Sequence, residues 1–344
     1  MDDHIEESLS LEMEETELVL TEGATRPPSG TDTALLKSYT YATPLPTELE
    51  PDQECILGVD EAGRGPVLGP MVYGICYCPL SKQDELADLG FADSKTLKEH
   101  ERDNLLDVIM SRPDLIGWSV RVLSPMDISN SMLRKEKYNL NALAHDTTIQ
   151  LIRDTLKSGV NLKEVYVDTV GPPESYQRKL ENLFPSITKI VVAKKADSKY
   201  PIVSAASICA KVTRDDVLRH WIFAETGMDD TLSRRFGSGY PSDPKTVSWL
   251  KSNMDPIFGY PNIVRFSWQT CKTLLETSGK TVRWPDDDES NSQPRITALF
   301  GQSGENTTDL AKQRVQYSTF ATKASPRPAP QLVQDMGLRG VVDF

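Results

Sequence analysis

The sequence predicts an α/β fold: one mixed sheet with helices packed on it. Three observations predict this. Apolar, strand-like runs come first, mostly without long helices between them. From residue 139 onward such runs alternate with segments of helical period, and an acid stands where three of the runs stop. An antiparallel start followed by strand–helix alternation gives a mixed sheet rather than a purely parallel one.

The elements follow in chain order. CILGVD (55–60) reads as the first strand and PMVYGICYCPL (70–80) as the second, and the Gly- and Pro-rich link predicts a tight antiparallel connection. Over 95–111, Leu97, Leu105, Val108 and Ile109 recur at helical spacing. GWSVRVLS (117–124) is the third strand. Within 139–158, Leu140, Leu143, Ala144, Thr147, Leu151, Ile152 and Thr155 share one helical face, and Gly159 supplies a stop. EVYVDTV (164–170) is strand four, ESYQRKLENLF (174–184) a helix, and ITKIVVAKK (187–195) strand five. Residues 202–224 read as a long, largely buried helix. Asp243-Pro244 starts another, with Asp as N-cap and Pro at the first helical position.

The ends read differently. Residues 1–50 carry 12 acids against 2 bases and show little periodicity, which predicts an acidic disordered tail. From about 286 the chain is again polar and mostly disordered in expectation. One apolar patch, Ile296–Phe300, interrupts it as a candidate partner-docking segment.

The net charge of −12 is therefore local. Residues 51–280 hold 30 acids and 29 bases, so an acidic whole does not exclude a nucleic-acid partner. No apolar run approaches the ~18 residues of a membrane span, and the acidic N-terminus predicts no secretory signal. The five cysteines lack CxxC spacing and fall mostly in apolar segments, which predicts reduced core residues.

The candidate chemistry lies in GVDEAGRGPVLGP (58–70). Asp60 and Glu61 close the first strand, Asp168 ends the fourth, and Asp197 follows the fifth. Taken singly, each acid reads as a solvated turn residue. Their coincidence at three strand ends of one sheet is what points to a site, because ligands gather at the carboxyl ends of strands. No histidine or reactive cysteine lies near them in sequence. Clustered carboxylates repel unless cations lie between them, and hard oxygen ligands favour Mg2+ or Mn2+ over zinc. Two such ions ~4 Å apart suit in-line attack on a phosphodiester. Gly63 and Gly65 let backbone approach a ligand closely, and Arg64 between them offers a fork of donors for phosphate. A plain turn with a surface arginine is the bland alternative, and GxxxxGK[ST] is absent. Lys194-Lys195-Lys199, Arg134-Lys135-Lys137 and Arg234-Arg235 together can offset a polyanion. Tyr240, among turn residues, is either a stacking aromatic or a half-buried loop tyrosine.

VDEAGRGP, DSKTL, NLNALAHDT, YVDTVGPP, KKADSKYPIVSAASICAKVTRD and GSGYPSDPKT stand in this order, and as a set they resemble type 2 ribonuclease H, in its eukaryotic catalytic branch. The resemblance covers roughly residues 50–280. It implies a ribonuclease H-like core over 51–225 and a helical C-terminal extension over 226–285. It implies hydrolysis of the RNA strand of RNA/DNA hybrids and incision 5′ of single ribonucleotides in duplex DNA. It carries metal binding and catalysis to Asp60, Glu61, Asp168 and Asp197. It carries reading of a 2′-hydroxyl to Gly63, Arg64 and Gly65, packing on the next sugar to Tyr240, and a place near substrate phosphates to Lys95. It also implies two accessory subunits and nuclear residence. The competing expectations are another carboxylate nuclease of the same fold and a noncatalytic, nucleic-acid-binding member of an assembly.

Overall fold

The computed structural model describes residues 18–20, 27, 33–91, 97–136, 138–225 and 232–280. Strands β1 (Leu18–Leu20), β2 (Tyr39–Ala42), β3 (Glu54–Ala62), β4 (Met71–Pro79), β5 (Gly117–Leu123), β6 (Asn161–Asp168) and β7 (Lys189–Ala193) form one sheet in the order β1-β2-β5-β4-β3-β6-β7. β2, β5, β4 and β3 pair antiparallel, while β6 joins β3 and β7 joins β6 in parallel. The mixed sheet expected from the sequence is the one observed.

Helices cover both faces. On one lie α1 (Gln83–Asp88), α2 (Glu99–Met110) and α6 (Pro201–Arg219). On the other lie α3 (Pro125–Met132), α4 (Leu140–Lys157) and α5 (Pro173–Leu183). α6 is central and nearly enclosed, and its sequence explains how closely it packs. Ala205, Ala206, Ser207 and Ala210 present little bulk, and the sheet answers with Gly58 and Gly74. A Cβ on Gly74 would stand 2.5 Å from the Ala206 carbonyl oxygen, and one on Gly58 would strike the Ile202 carbonyl. Glycine at both strand positions lets helix backbone rest directly on sheet backbone.

Two further helices, α7 (Pro244–Ser252) and α8 (Gln269–Ser278), belong to the extension. Asp243 caps α7 as expected, its carboxylate accepting from the Lys245 N–H at 2.9 Å. Trp249, Leu250, Tyr260, Ile263, Val264 and Cys271 pack in one cluster with Val67 and Leu68 of the β3–β4 link and Val217 of α6. The extension is thus built onto the core's own loop and helix.

One expectation is corrected. Residues 18–20 and 39–42 are sheet strands, not tail, and in the second Tyr41 is fully buried with its ring 5.1 Å from that of Trp118, while Arg121 donates to Thr40 at 2.9 Å. Ser38 adds two bonds to the Asp127 carboxylate, at 2.7 and 2.5 Å. Four residues are too short to show a period of two beside so acidic a stretch, and their stability comes from burial against β5 rather than from local pattern. The five cysteines are free and buried. No helix among the described residues is long and apolar enough to cross a membrane. Lys95 and the Ile296–Phe300 segment lie outside the described residues.

Candidate active site

The carboxyl ends of β3, β6 and β7 lie side by side, and three of the predicted acids ride on two of them. Asp60 and Glu61 fall inside β3 rather than beyond it, opposite Gly74 and Tyr73 of β4. In the parallel ladder Val59 pairs with Val167, so Asp60 and Asp168 follow next to each other. Asp168 pairs with Ala193 at the end of β7, and Asp197 comes four residues later in a 3-10 turn, Ala196–Ser198. The Ala196 N–H donates to Asp168 at 2.9 Å, which ties that turn to β6.

Neighbouring residues of a strand face opposite sides of a sheet. Asp60 accordingly faces α6, where it is 4% exposed, accepts from Ser207 and feels the Lys211 charge. Glu61 faces α4 and α5. Asp197 is equally enclosed at 3%. Burial, then the Asp168 carboxylate, push the Asp60 pKa up to about 7. Bonds from Ser207 and from the Glu61 N–H, at 2.7 Å, oppose that rise. As the side chains stand, no three acidic, histidine or cysteine groups among the described residues close on one ion position. Asp60 and Asp168 each accept a main-chain N–H, at 2.7 and 2.9 Å, and Asp60 accepts from Ser207 as well.

On the Glu61 side lies a cleft of about 60 Å³. Its walls include Glu61, Asp168, Arg64, Asn141, His145 and Tyr176. The His145 and Tyr176 rings stack with centroids 3.7 Å apart. Burial, then the Lys179 charge, lower the His145 pKa, so the ring is neutral at physiological pH. The expectation that no histidine neighbours these acids, true along the chain, is thus corrected in space. Asn141, Ala144, His145 and Thr148 form a stripe of α4 at helical spacing that shares Ala144 with its apolar face; only the sheet order brings that stripe to Glu61.

The glycine-flanked loop lies in the link between β3 and β4. Gly63 has φ 76°, a conformation that favours glycine, and a Cβ there would run into Arg214. The Arg64 side chain is committed to protein partners, donating to Asn141 and Tyr73. Tyr240 is 47% exposed, and a Cβ on Gly65 would lie 3.0 Å from its ring. Of the basic clusters, Lys194, Lys195 and Lys199 are exposed around Asp197. Arg234 instead donates to the Trp221 carbonyl and lies 5.8 Å above the Phe223 ring, so it is structural.

The family model for ribonuclease HII matches residues 57–271. This chain belongs to the ribonuclease HII family. The A subunit of ribonuclease H2 from Homo sapiens is 51% identical over 264 residues, covering 76% of this chain and 87% of the human one. The Arabidopsis thaliana protein of that name is 53% identical over 269 residues, covering 77% and 90%. Among solved structures, ribonuclease H2 from Pyrococcus horikoshii OT3 is 31% identical with a TM-score of 0.53, covering 66% of this chain and all of that one. The PCNA:RNase HII complex from Archaeoglobus fulgidus matches at 32% and 0.51, covering 67% and 99%. The chain is therefore a ribonuclease H-type hydrolase with the fold of that family.

Proposed function

We propose that this ribonuclease hydrolyses the RNA strand of RNA/DNA hybrids and incises 5′ of single ribonucleotides in duplex DNA. The observation that carries the reading is the apposition of acid-bearing strand ends with a glycine loop and an exposed tyrosine. Asp60, Glu61, Asp168 and Asp197 would hold divalent cations. The donor set fits a hard cation: all are carboxylates, and Asp168 already raises the proton affinity of Asp60, a repulsion that a cation between them reverses. Magnesium, or manganese in its place, with two ions in the active complex, supplies activation of water and stabilisation of the leaving oxygen.

The chain's own residues do the rest. Asp60 gives up its proton on loading, and Ser207 holds the resulting carboxylate from α6. Backbone N–H groups of the 63–65 loop receive the sugar hydroxyl, and Tyr240 packs on the following sugar. Lys95 contacts phosphate. Selectivity then rests on a sugar atom and not on base edges, which suits cleavage in any sequence. The relatives are named as subunits, and two accessory subunits in a nuclear heterotrimer complete the proposal. The archaeal relative's complex makes PCNA the partner to test against the Ile296–Phe300 segment.

The test is turnover of a hybrid and of a single-ribonucleotide duplex in Mg2+, Mn2+ or Ca2+, by the chain with its co-purifying subunits. Turnover in the first two, and binding with little turnover in Ca2+, is expected because calcium's looser coordination holds in-line geometry poorly. Metal-independent cleavage would remove the basis of the reading.

A further inference from the structure

The loop bearing Gly63, Arg64 and Gly65 joins β3 to β4, yet its carbonyls are held by the C-terminal extension. Arg265 is fully buried. Its Nη2 donates to the Gly63 oxygen at 2.6 Å, its Nη1 to Arg64 at 3.2 Å and its Nε to Gly69 at 2.8 Å. Trp268 Nε1 donates to the Gly65 oxygen at 3.1 Å, and its ring lies 4.8 Å from the Arg265 guanidinium. The main chain repeats the pattern: the Arg265 N–H donates to Val67 at 2.9 Å, and the Gly69 N–H to Ile263 at 2.8 Å.

Three consecutive carbonyls, 63 to 65, are thus drawn to two side chains of one segment. A trans peptide is planar, so the C=O of one residue and the N–H of the next point in opposite directions. Fixing the Gly63 and Arg64 carbonyls therefore turns the Arg64 and Gly65 N–H groups away from Arg265. The third peptide offers no donor, because residue 66 is proline. Among the described residues, neither the Arg64 nor the Gly65 N–H has a protein acceptor. Two adjacent donors are left, aimed the same way. A fully buried arginine is costly, and the carbonyls it binds and the indole face are what satisfy it here.

We propose that Arg265 and Trp268 are positioning residues that set discrimination between ribose and deoxyribose: by holding the carbonyls of Gly63, Arg64 and Gly65 they aim the two free N–H groups at the sugar 2′-oxygen. This rests on the reading of that loop given above. The extension then governs a selectivity whose donors it does not carry.

The experiment uses the full chain with its co-purifying subunits, as wild type, Trp268→Phe and Arg265→Lys. Dissociation constants are measured in Ca2+ for a duplex with one ribonucleotide and for its all-deoxy counterpart, with thermal melts alongside. Trp268→Phe keeps the ring over Arg265 and removes a single donor at a partly exposed position. It is expected to lower the ribo-to-deoxy preference ~2- to 10-fold, the worth of one hydrogen bond, with all-deoxy binding and melting unchanged. Arg265→Lys, which keeps charge but not the fork, is expected to lose more. A clear wild-type preference that both folded variants keep in full would overturn the inference alone. Should Arg265→Lys fail to fold, full preference in Trp268→Phe overturns it. A wild type without any preference overturns the loop's reading, and this inference with it.

Discussion

At the scale of single residues, Asp60 carries the sharpest expectation, because its folded pKa is about 7 against an ordinary 3.8. The folded chain binds this proton more tightly than the unfolded chain does. Metal-free stability therefore falls as pH rises from about 4 to about 7 and stays low above. Asp60→Asn carries no such charge. It is expected to melt higher than wild type at pH 8 without metal, by at least the ~2–4 °C that 1 kcal/mol produces in a domain of this size, and no higher at pH 4. The same variant should lose cleavage while still binding substrate. Differential scanning at the two pH values, with EDTA, checks the first part. Equal melts at pH 8 would mean that burial does not strain this carboxylate. Tyr240 is the second case. Tyr240→Ala removes a ring worth ~1–3 kcal/mol, or roughly 5- to 150-fold, whereas Tyr240→Phe keeps it. The Ala variant should lose most on a single-ribonucleotide duplex. Equal small losses on that duplex and on a long hybrid would make Tyr240 an ordinary loop residue.

Among the elements, β2 separates what the sequence makes legible from what it does not. Asp60, Asp168 and Asp197 are legible because strand ends are local events: an apolar run stops and an acid follows. The α4 face is legible for the same reason, since seven of its positions recur at helical spacing. β2 is not, because four residues stabilised by Trp118 and Arg121, more than seventy positions away, leave no local period. His145 and Arg265 are hidden in the same way, one placed by sheet order and the other by a contact spanning some 200 positions. β2 also corrects where the chain tolerates trimming. A chain starting at residue 33 should fold, whereas one starting at residue 50 loses Tyr41 from the core and exposes the edge of β5. Burial of one aromatic is worth ~1.5–3 kcal/mol before any ladder bonds are counted, so the shorter chain should melt markedly lower. Equal denaturant midpoints would contradict the role assigned to β2. α7 holds the Tyr240 loop through Thr246, which accepts from the Gly239 N–H at 3.0 Å and donates to Phe236 at 2.7 Å. Thr246→Val, equal in shape, strands both groups at a cost of ~1–3 kcal/mol each and should follow Tyr240→Ala in its substrate profile.

For the whole molecule, charge is uneven along the sequence. Residues 1–32 hold 10 acids and 1 base, while the body is near neutral. Removing them should tighten nucleic-acid binding at low salt, and the gain should vanish as salt approaches 1 M, where screening acts within ~3 Å. Anisotropy titrations at several salt concentrations measure this, and a gain independent of salt would point to a cause other than charge. The central claim joins the sheet to the loop: carboxylates at three strand ends cut the phosphodiester that a neighbouring backbone turn selects by its sugar. The most direct measurement is the position and chemistry of the cut in a DNA duplex containing one ribonucleotide, in Mg2+, mapped on both strands. One nick on the 5′ side of the ribonucleotide is expected, with 3′-hydroxyl and 5′-phosphate ends, no nick in the all-deoxy duplex, and none with Asp60→Asn. Cleavage of the all-deoxy duplex at a similar rate, or a cut that Asp60→Asn leaves intact, would contradict it.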